Sequence, residues 1–130
     1  MIASVFTVFK DYAFSAAHSI RGHRGGCENL HGHGYRVRLH VGAARLDELG
    51  MVVDFAVLKA LLGEVLGPFD HRVINDVPPF DRVNTTAENL AHHVYGEAAR
   101  RLDDERLRVL RVEVWENDGA CAAYEPPRNP

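Results

Sequence analysis

The segment Cys27-Glu28-Asn29-Leu30-His31-Gly32-His33-Gly34-Tyr35 sets a thiol three residues ahead of two histidines that are separated by one glycine. In extended backbone alternate side chains share a face, so His31 and His33 would point the same way. Two neutral imidazoles side by side are half of a metal site, and Gly32 keeps the backbone between them slim. A third imidazole, His18, lies upstream in Phe14-Ser15-Ala16-Ala17-His18. Three histidines with a fourth position left to water or substrate are the donor set of catalytic zinc. The spacing alone also admits iron, copper or nickel. Cys27 then has two possible uses. As a fourth ligand it would close the site and make it structural. As a free thiol beside a dication it would ionise near neutral pH and serve as base or nucleophile. Cys121, inside Ala120-Cys121-Ala122-Ala123, reads as a small buried hydrophobe.

Other residues could join this chemistry. Asp70-His71 follows Pro68-Phe69 at a turn, where a carboxylate could orient an imidazole for proton transfer, or where the pair could be an ordinary piece of loop. Glu116 continues the apolar row Leu110, Val112, Val114, so it is either a strand end reaching solvent or a buried anchor for a donor-rich ligand. Thr85 and Thr86 read first as helix-capping residues. Arg21 and Arg24 in the loop before Cys27 are candidates for contact with phosphate.

Positioning these groups requires a particular set of elements. Residues Ala3–Phe14 are rich in Val, Phe, Thr and Tyr and predict a strand. Ser19–Gly26 is a basic, glycine-rich loop. Gly34–Val41 alternates, with Tyr35, Val37, Leu39 and Val41 on one face and Arg36, Arg38 and His40 on the other, as a half-buried strand does. Gly50–Val53 predicts a short extended piece. Asp54 is placed to cap a helix over Phe55–Leu66, ended by Pro68. Thr85-Thr86-Ala87-Glu88 has capping-box spacing and opens a helix to about Leu102, with Leu90, Ala91, Val94, Tyr95, Ala98 and Leu102 as its apolar stripe. Leu110–Glu116 and Ala120–Tyr124 complete the order β-β-α-α-β-β. Helices inserted between antiparallel strand pairs predict an α+β layer. A four-stranded sheet this small leaves edges to cover, and oligomerisation covers them.

With 130 residues, 46% of them hydrophobic and 25% charged, the composition is that of one ordinary globular domain spanning 1–130. A net charge of −3 with scattered basic residues argues against a nucleic-acid partner. Apolar runs fall well short of the roughly 18 residues of a membrane span, so no membrane partner is expected. The N-terminus runs into strand-like sequence without a signal peptide, and two cysteines beside a histidine cluster fit reduced chemistry. The cytoplasm is the expected location.

Phe14-Ser15-Ala16-Ala17-His18, and Cys27 followed by His31-Gly32-His33 and Tyr35, together resemble the 6-pyruvoyl-tetrahydropterin synthase and 6-carboxytetrahydropterin synthase superfamily. The likeness continues through Gly50-Met51-Val52-Val53-Asp54-Phe55, Asp70-His71-Arg72, Asn84-Thr85-Thr86-Ala87-Glu88-Asn89-Leu90-Ala91 and Val114-Trp115-Glu116, from about Phe6 to Tyr124. It implies a tunnelling fold, in which antiparallel β-β-α-α-β-β subunits close into a barrel as trimers and two trimers stack as a homo-hexamer with sites at the interfaces. It implies Zn2+ on His18, His31 and His33, with Cys27 as general base and Asp70 and His71 as a relay from a neighbouring subunit. Glu116 would accept hydrogen bonds from the pterin ring, and Thr86 would help hold it. The implied substrate is 7,8-dihydroneopterin triphosphate. The three-residue gap before His31 resembles the bacterial 6-carboxytetrahydropterin branch of the queuosine pathway, which loses triphosphate and releases acetaldehyde. Thr85, where that branch usually has proline, resembles the pyruvoyl branch instead. Asn117-Asp118-Gly119-Ala120 departs from the threonine-led version common in both.

Overall fold

A computed structural model describes residues 5–127. Four strands, β1 (Phe6–His18), β2 (His31–Ala43), β3 (Arg108–Asn117) and β4 (Ala120–Tyr124), form one antiparallel sheet in the order β1-β2-β3-β4. Helices α1 (Phe55–Leu66) and α2 (Ala87–Leu102) lie between the two strand pairs in sequence and cover one sheet face, α1 against β1 and α2 against β3 and β4. The α+β architecture and element order are those expected.

The core forms because the strand period and the helix period deliver apolar side chains to the same layer. Tyr35, Val37, Leu39 and Val41 of β2 meet Leu58, Leu62 and Leu66 of α1 and Leu90, Val94 and Ala98 of α2, all buried. The opposite sheet face is polar. Arg38 makes a bidentate pair with Asp11 at 2.8 and 3.0 Å, His40 pairs with Glu113, and Arg36 stacks on Trp115 at 4.6 Å.

Local departures from the expected elements have identifiable causes. β1 continues past Phe14 to His18, because the first residues of β2, His31–Tyr35, supply partners for it. Gly50–Val53 is a turn and bend rather than extended ladder. Asp47 Oδ1 accepts from the backbone of Leu49 and Met51, and Arg106 donates to the Val52 carbonyl at 2.8 Å, so side chains take the place of a paired strand. A β-bulge shifts the β2–β3 register between His40 and Val41, where Val41 pairs with Val109 and His40 with Arg111. The extra residue is Leu110, so Val109 rather than Leu110 completes the buried row with Val112 and Val114. Cys121 is exposed on β4 opposite Trp115, not buried as its apolar setting suggested.

Helix α1 starts as expected, with Asp54 accepting from the Ala56 amide at 2.8 Å. Pro68 sits in a short 3-10 turn, Gly67–Phe69, that follows directly. Helix α2 starts one residue later than the capping-box spacing indicates. Thr86 is the N-cap and accepts from Asn89 N at 3.1 Å, leaving Thr85 outside the helix. Thr86→Ala should therefore cost about 1 kcal/mol of stability, while Thr86→Ser stays close to wild type. Chemical denaturation of the two variants checks this; equal stability of all three proteins would remove the cap from the account.

Candidate metal centre

The row of β2 side chains that builds the core continues, at its N-terminal end, as His33 and His31. A slip of one residue would expose the whole apolar set of Tyr35 to Val41, so that set holds the register and with it the direction of both imidazoles. In the β1–β2 ladder His18 lies opposite His31 and Ala16 opposite His33, which brings the third ring to the same face. The three rings meet edge to face with centroids 4.6, 5.0 and 4.9 Å apart, and one ligand nitrogen from each lies within 4.8 Å of the others.

Hydrogen bonds settle which nitrogens are free. His18 Nδ1 donates to the Thr85 carbonyl at 2.8 Å, and His31 Nδ1 donates to the Asn29 carbonyl at 2.7 Å. A carbonyl can only accept, so each of these two rings carries a proton on Nδ1 and turns Nε2 toward the cluster. His33 Nε2 comes within 3.2 Å of His18 Nε2 and 3.5 Å of Glu116 Oε2. His18 is fully buried, and burial holds its pKa below the usual histidine range against the opposing pull of the Thr85 carbonyl and Glu116. Three imidazoles whose ring nitrogens converge, two of them tied through Nδ1 to carbonyls and the third beside the Glu116 carboxylate, are a donor set that fits a divalent cation.

Cys27 does not belong to the convergent group among the described residues. It is half-buried in a 3-10 turn, Gly26–Glu28, and its carbonyl accepts from Ile20 N at 2.7 Å, which closes the preceding loop. Both cysteines are free.

Glu116 occupies a second bulge. Trp115 pairs with Cys121 and Asn117 with Ala120, which leaves Glu116 as the extra residue and aims its carboxylate at His33. The neighbouring Tyr35 is buried, its ring 5.3 Å from His33 and 5.8 Å from His18. Its hydroxyl has no hydrogen-bond partner among the described residues, and burial together with the Glu116 charge pushes its pKa up.

Asp70 and His71 touch each other, His71 Nδ1 lying 2.8 Å from Asp70 Oδ1. The pair is pinned to the outer edge of β1: Asp70 Oδ1 accepts from Ser15 N, and His71 N donates to the Ser15 carbonyl at 2.6 Å. Meeting both bonds in one tight turn places His71 at φ +59°, in the left-handed region where histidine is uncommon. Its side chain is 82% exposed. A shallow groove of about 480 Å³ is lined by Ser15, Gly32, His33, Gly34 and His71, so His71 and one imidazole of the cluster border the same space.

Arg21 does not stand ready for a phosphate. Its guanidinium donates to the carbonyls of Phe80 at 2.8 Å, Val83 at 3.3 Å and Asn75 at 3.4 Å, because the loop it crosses would otherwise leave those acceptors open. Arg24 is exposed. The residues that sequence reasoning missed are those that support the ligands. Thr85 read as a cap yet holds His18 through its carbonyl, which no sequence signal marks. Tyr35 could have been linked to His33 by its period-two spacing on β2.

An antiparallel α+β domain with three imidazoles converging at the end of its core row defines the class: a small sheet-and-helix fold with a candidate metal site. A family model described as 6-pyruvoyl tetrahydropterin synthase matches residues 7–127. A protein of Synechocystis sp. named 6-carboxy-5,6,7,8-tetrahydropterin synthase is 35% identical over 130 residues, covering 95% of this chain and 96% of its own. A Bacillus subtilis protein of the same name is also 35% identical, covering 95% and 87%. The solved structure of Caenorhabditis elegans 6-pyruvoyl tetrahydropterin synthase superposes with a TM-score of 0.83 at 26% identity, over 96% of this chain and 98% of that one. The chain belongs to the 6-pyruvoyl tetrahydropterin synthase family.

Proposed function

We propose that this protein is a zinc-dependent 6-carboxy-5,6,7,8-tetrahydropterin synthase acting on 7,8-dihydroneopterin triphosphate. The observation that carries the reading is the convergence of three imidazoles with Cys27 left outside them, in a chain with relatives of that name. Zinc, when bound by His18, His31 and His33, would supply Lewis acidity to the hydroxyls of the substrate side chain. Cys27 as thiolate takes a proton from that side chain, and His71, oriented by Asp70, carries a second. Glu116 accepts two parallel N–H bonds from the amino-pyrimidinone edge of the ring. Thr86 accepts from Asn89 N, so its hydroxyl proton remains available to a ring acceptor.

The large exposure of His71 suits a side chain completed by a second subunit. So do the outer edges of β1 and β4, and we assign the chain to a hexamer of two barrel-forming trimers. Its free thiols suit the cytoplasm, and the product would then serve the queuosine pathway. No helix among the described residues is long and apolar enough to cross a membrane.

A second reading, the pyruvoyl reaction without side-chain cleavage, is favoured by Thr85 and by the C. elegans neighbour. Incubating the zinc-loaded protein with dihydroneopterin triphosphate separates the two. The expected outcome is acetaldehyde together with a 6-carboxytetrahydropterin identified by mass. Triphosphate release without acetaldehyde would establish the pyruvoyl reaction in its place.

A further inference from the structure

We infer that Thr85 is a positioning residue for the metal centre: its carbonyl sets the His18 ring while its hydroxyl anchors the strand end that carries that ring. This rests on the proposal that the three histidines hold a divalent metal.

Thr85 is 2% exposed, yet it is not the cap of α2, so its buried hydroxyl answers to something other than the helix. That hydroxyl donates to the Ser19 carbonyl at 2.9 Å, one residue beyond His18, while the Thr85 carbonyl accepts from His18 Nδ1 at 2.8 Å. Thr85 therefore grips two successive residues of the chain, one by side chain and one by backbone. Its neighbours extend the grip. Asn75 both accepts from Ser19 N and donates to Ser19 O, each at 2.9 Å, and Asn84 accepts from Arg21 N and donates to Arg21 O at 3.0 and 3.1 Å.

The physical consequence concerns the ring rather than the fold. A neutral imidazole exchanges its proton between two nitrogens unless one is held, and only the Nδ1–H form presents the Nε2 lone pair to a cation. The carbonyl that holds it is only as fixed as residue 85, and the Thr85–Ser19 bond fixes residue 85 against β1. Thr85→Val keeps the shape of the side chain and deletes that bond. Thr85→Ser restores it.

The test uses the full chain and two measurements. Competition with a chelator gives zinc affinity, and a long-range proton–nitrogen correlation spectrum of the metal-free protein gives the His18 tautomer. Expected are a loss of about tenfold in zinc affinity for Thr85→Val, within the range of outer-shell partners, and recovery to within about twofold for Thr85→Ser. His18 should be held in the Nδ1–H form in wild type and Thr85→Ser, and mixed in Thr85→Val. Thr85→Ala, which also lacks the hydroxyl, replaces Thr85→Val if the latter does not fold. Wild-type affinity with a single tautomer in the hydroxyl-free variant overturns the inference, as does an equal loss in Thr85→Ser. If wild-type protein binds no zinc, the metal reading fails, and the tautomer of the metal-free protein still decides the role of Thr85.

Discussion

Replacing Cys27 by alanine is expected to leave zinc in place and to lower turnover by about 10²–10⁴-fold, the range for losing a positioned acid–base group. The expectation follows from where the sulfur is not. The three imidazoles complete their group without it, and Cys27 sits in a separate turn at the end of the loop that follows His18. Metal content per subunit and product formation, measured on the same preparation, decide the matter. Loss of zinc in Cys27→Ala would make the cysteine a ligand and the site a closed, structural one. Retained turnover would remove it from the chemistry altogether. Cys121→Ala, an exposed thiol on β4, is the matching control and should change neither quantity.

His31→Ala is expected to have a larger effect on the metal, lowering zinc affinity by more than the roughly 100-fold seen for the loss of outer-shell partners, with turnover lost alongside. His31 is the better choice than His18 for this experiment. His18 is fully buried, so its removal would also open a cavity, whereas His31 is half-buried. The metal-free His31→Ala protein should therefore melt close to metal-free wild type. At a zinc concentration about a thousandfold above the dissociation constant, binding stabilises wild type by about 4 kcal/mol. Melting with and without zinc should show that increment in wild type and not in His31→Ala. An undiminished increment in the variant would mean that the cation binds elsewhere.

Much of this arrangement was legible in the sequence, for reasons that differ by element. The order of strands and helices followed from period-two rows such as Tyr35–Val41 and from caps such as Asp54, both local signals. The pairing of His31 with His33 followed from the same period. The joining of His18 to them did not, since it depends on the β1–β2 register, and β1 extends four residues beyond the strand-rich run that announced it. The two bulges were invisible for a related reason. Strict alternation puts Leu110 in the core row, but the extra residue on β3 gives that place to Val109. At Glu116 alternation gave the right face, while the bulge that turns the carboxylate toward His33 emerged only with the β4 pairing. Thr85 shows the deepest limit. Its contact with His18 spans 67 residues and is made by a backbone carbonyl, which every residue type possesses.

The placement of two ligands on the same row as the core also determines which changes in chain length the protein can absorb. Between Ser19 and Leu30 the chain is loop and a single 3-10 turn, so an added or lost residue there alters the reach of Cys27 and leaves the ladder alone. Within His31–Val41 the arithmetic is different. One inserted residue would hand the inner positions to Gly32, Gly34, Arg36 and Arg38 on one side of the insertion or the other, so core and ligands would be forfeited together. Length variation among proteins built on this plan should therefore collect before His31 and be excluded from there through Val41, at a boundary one peptide bond wide.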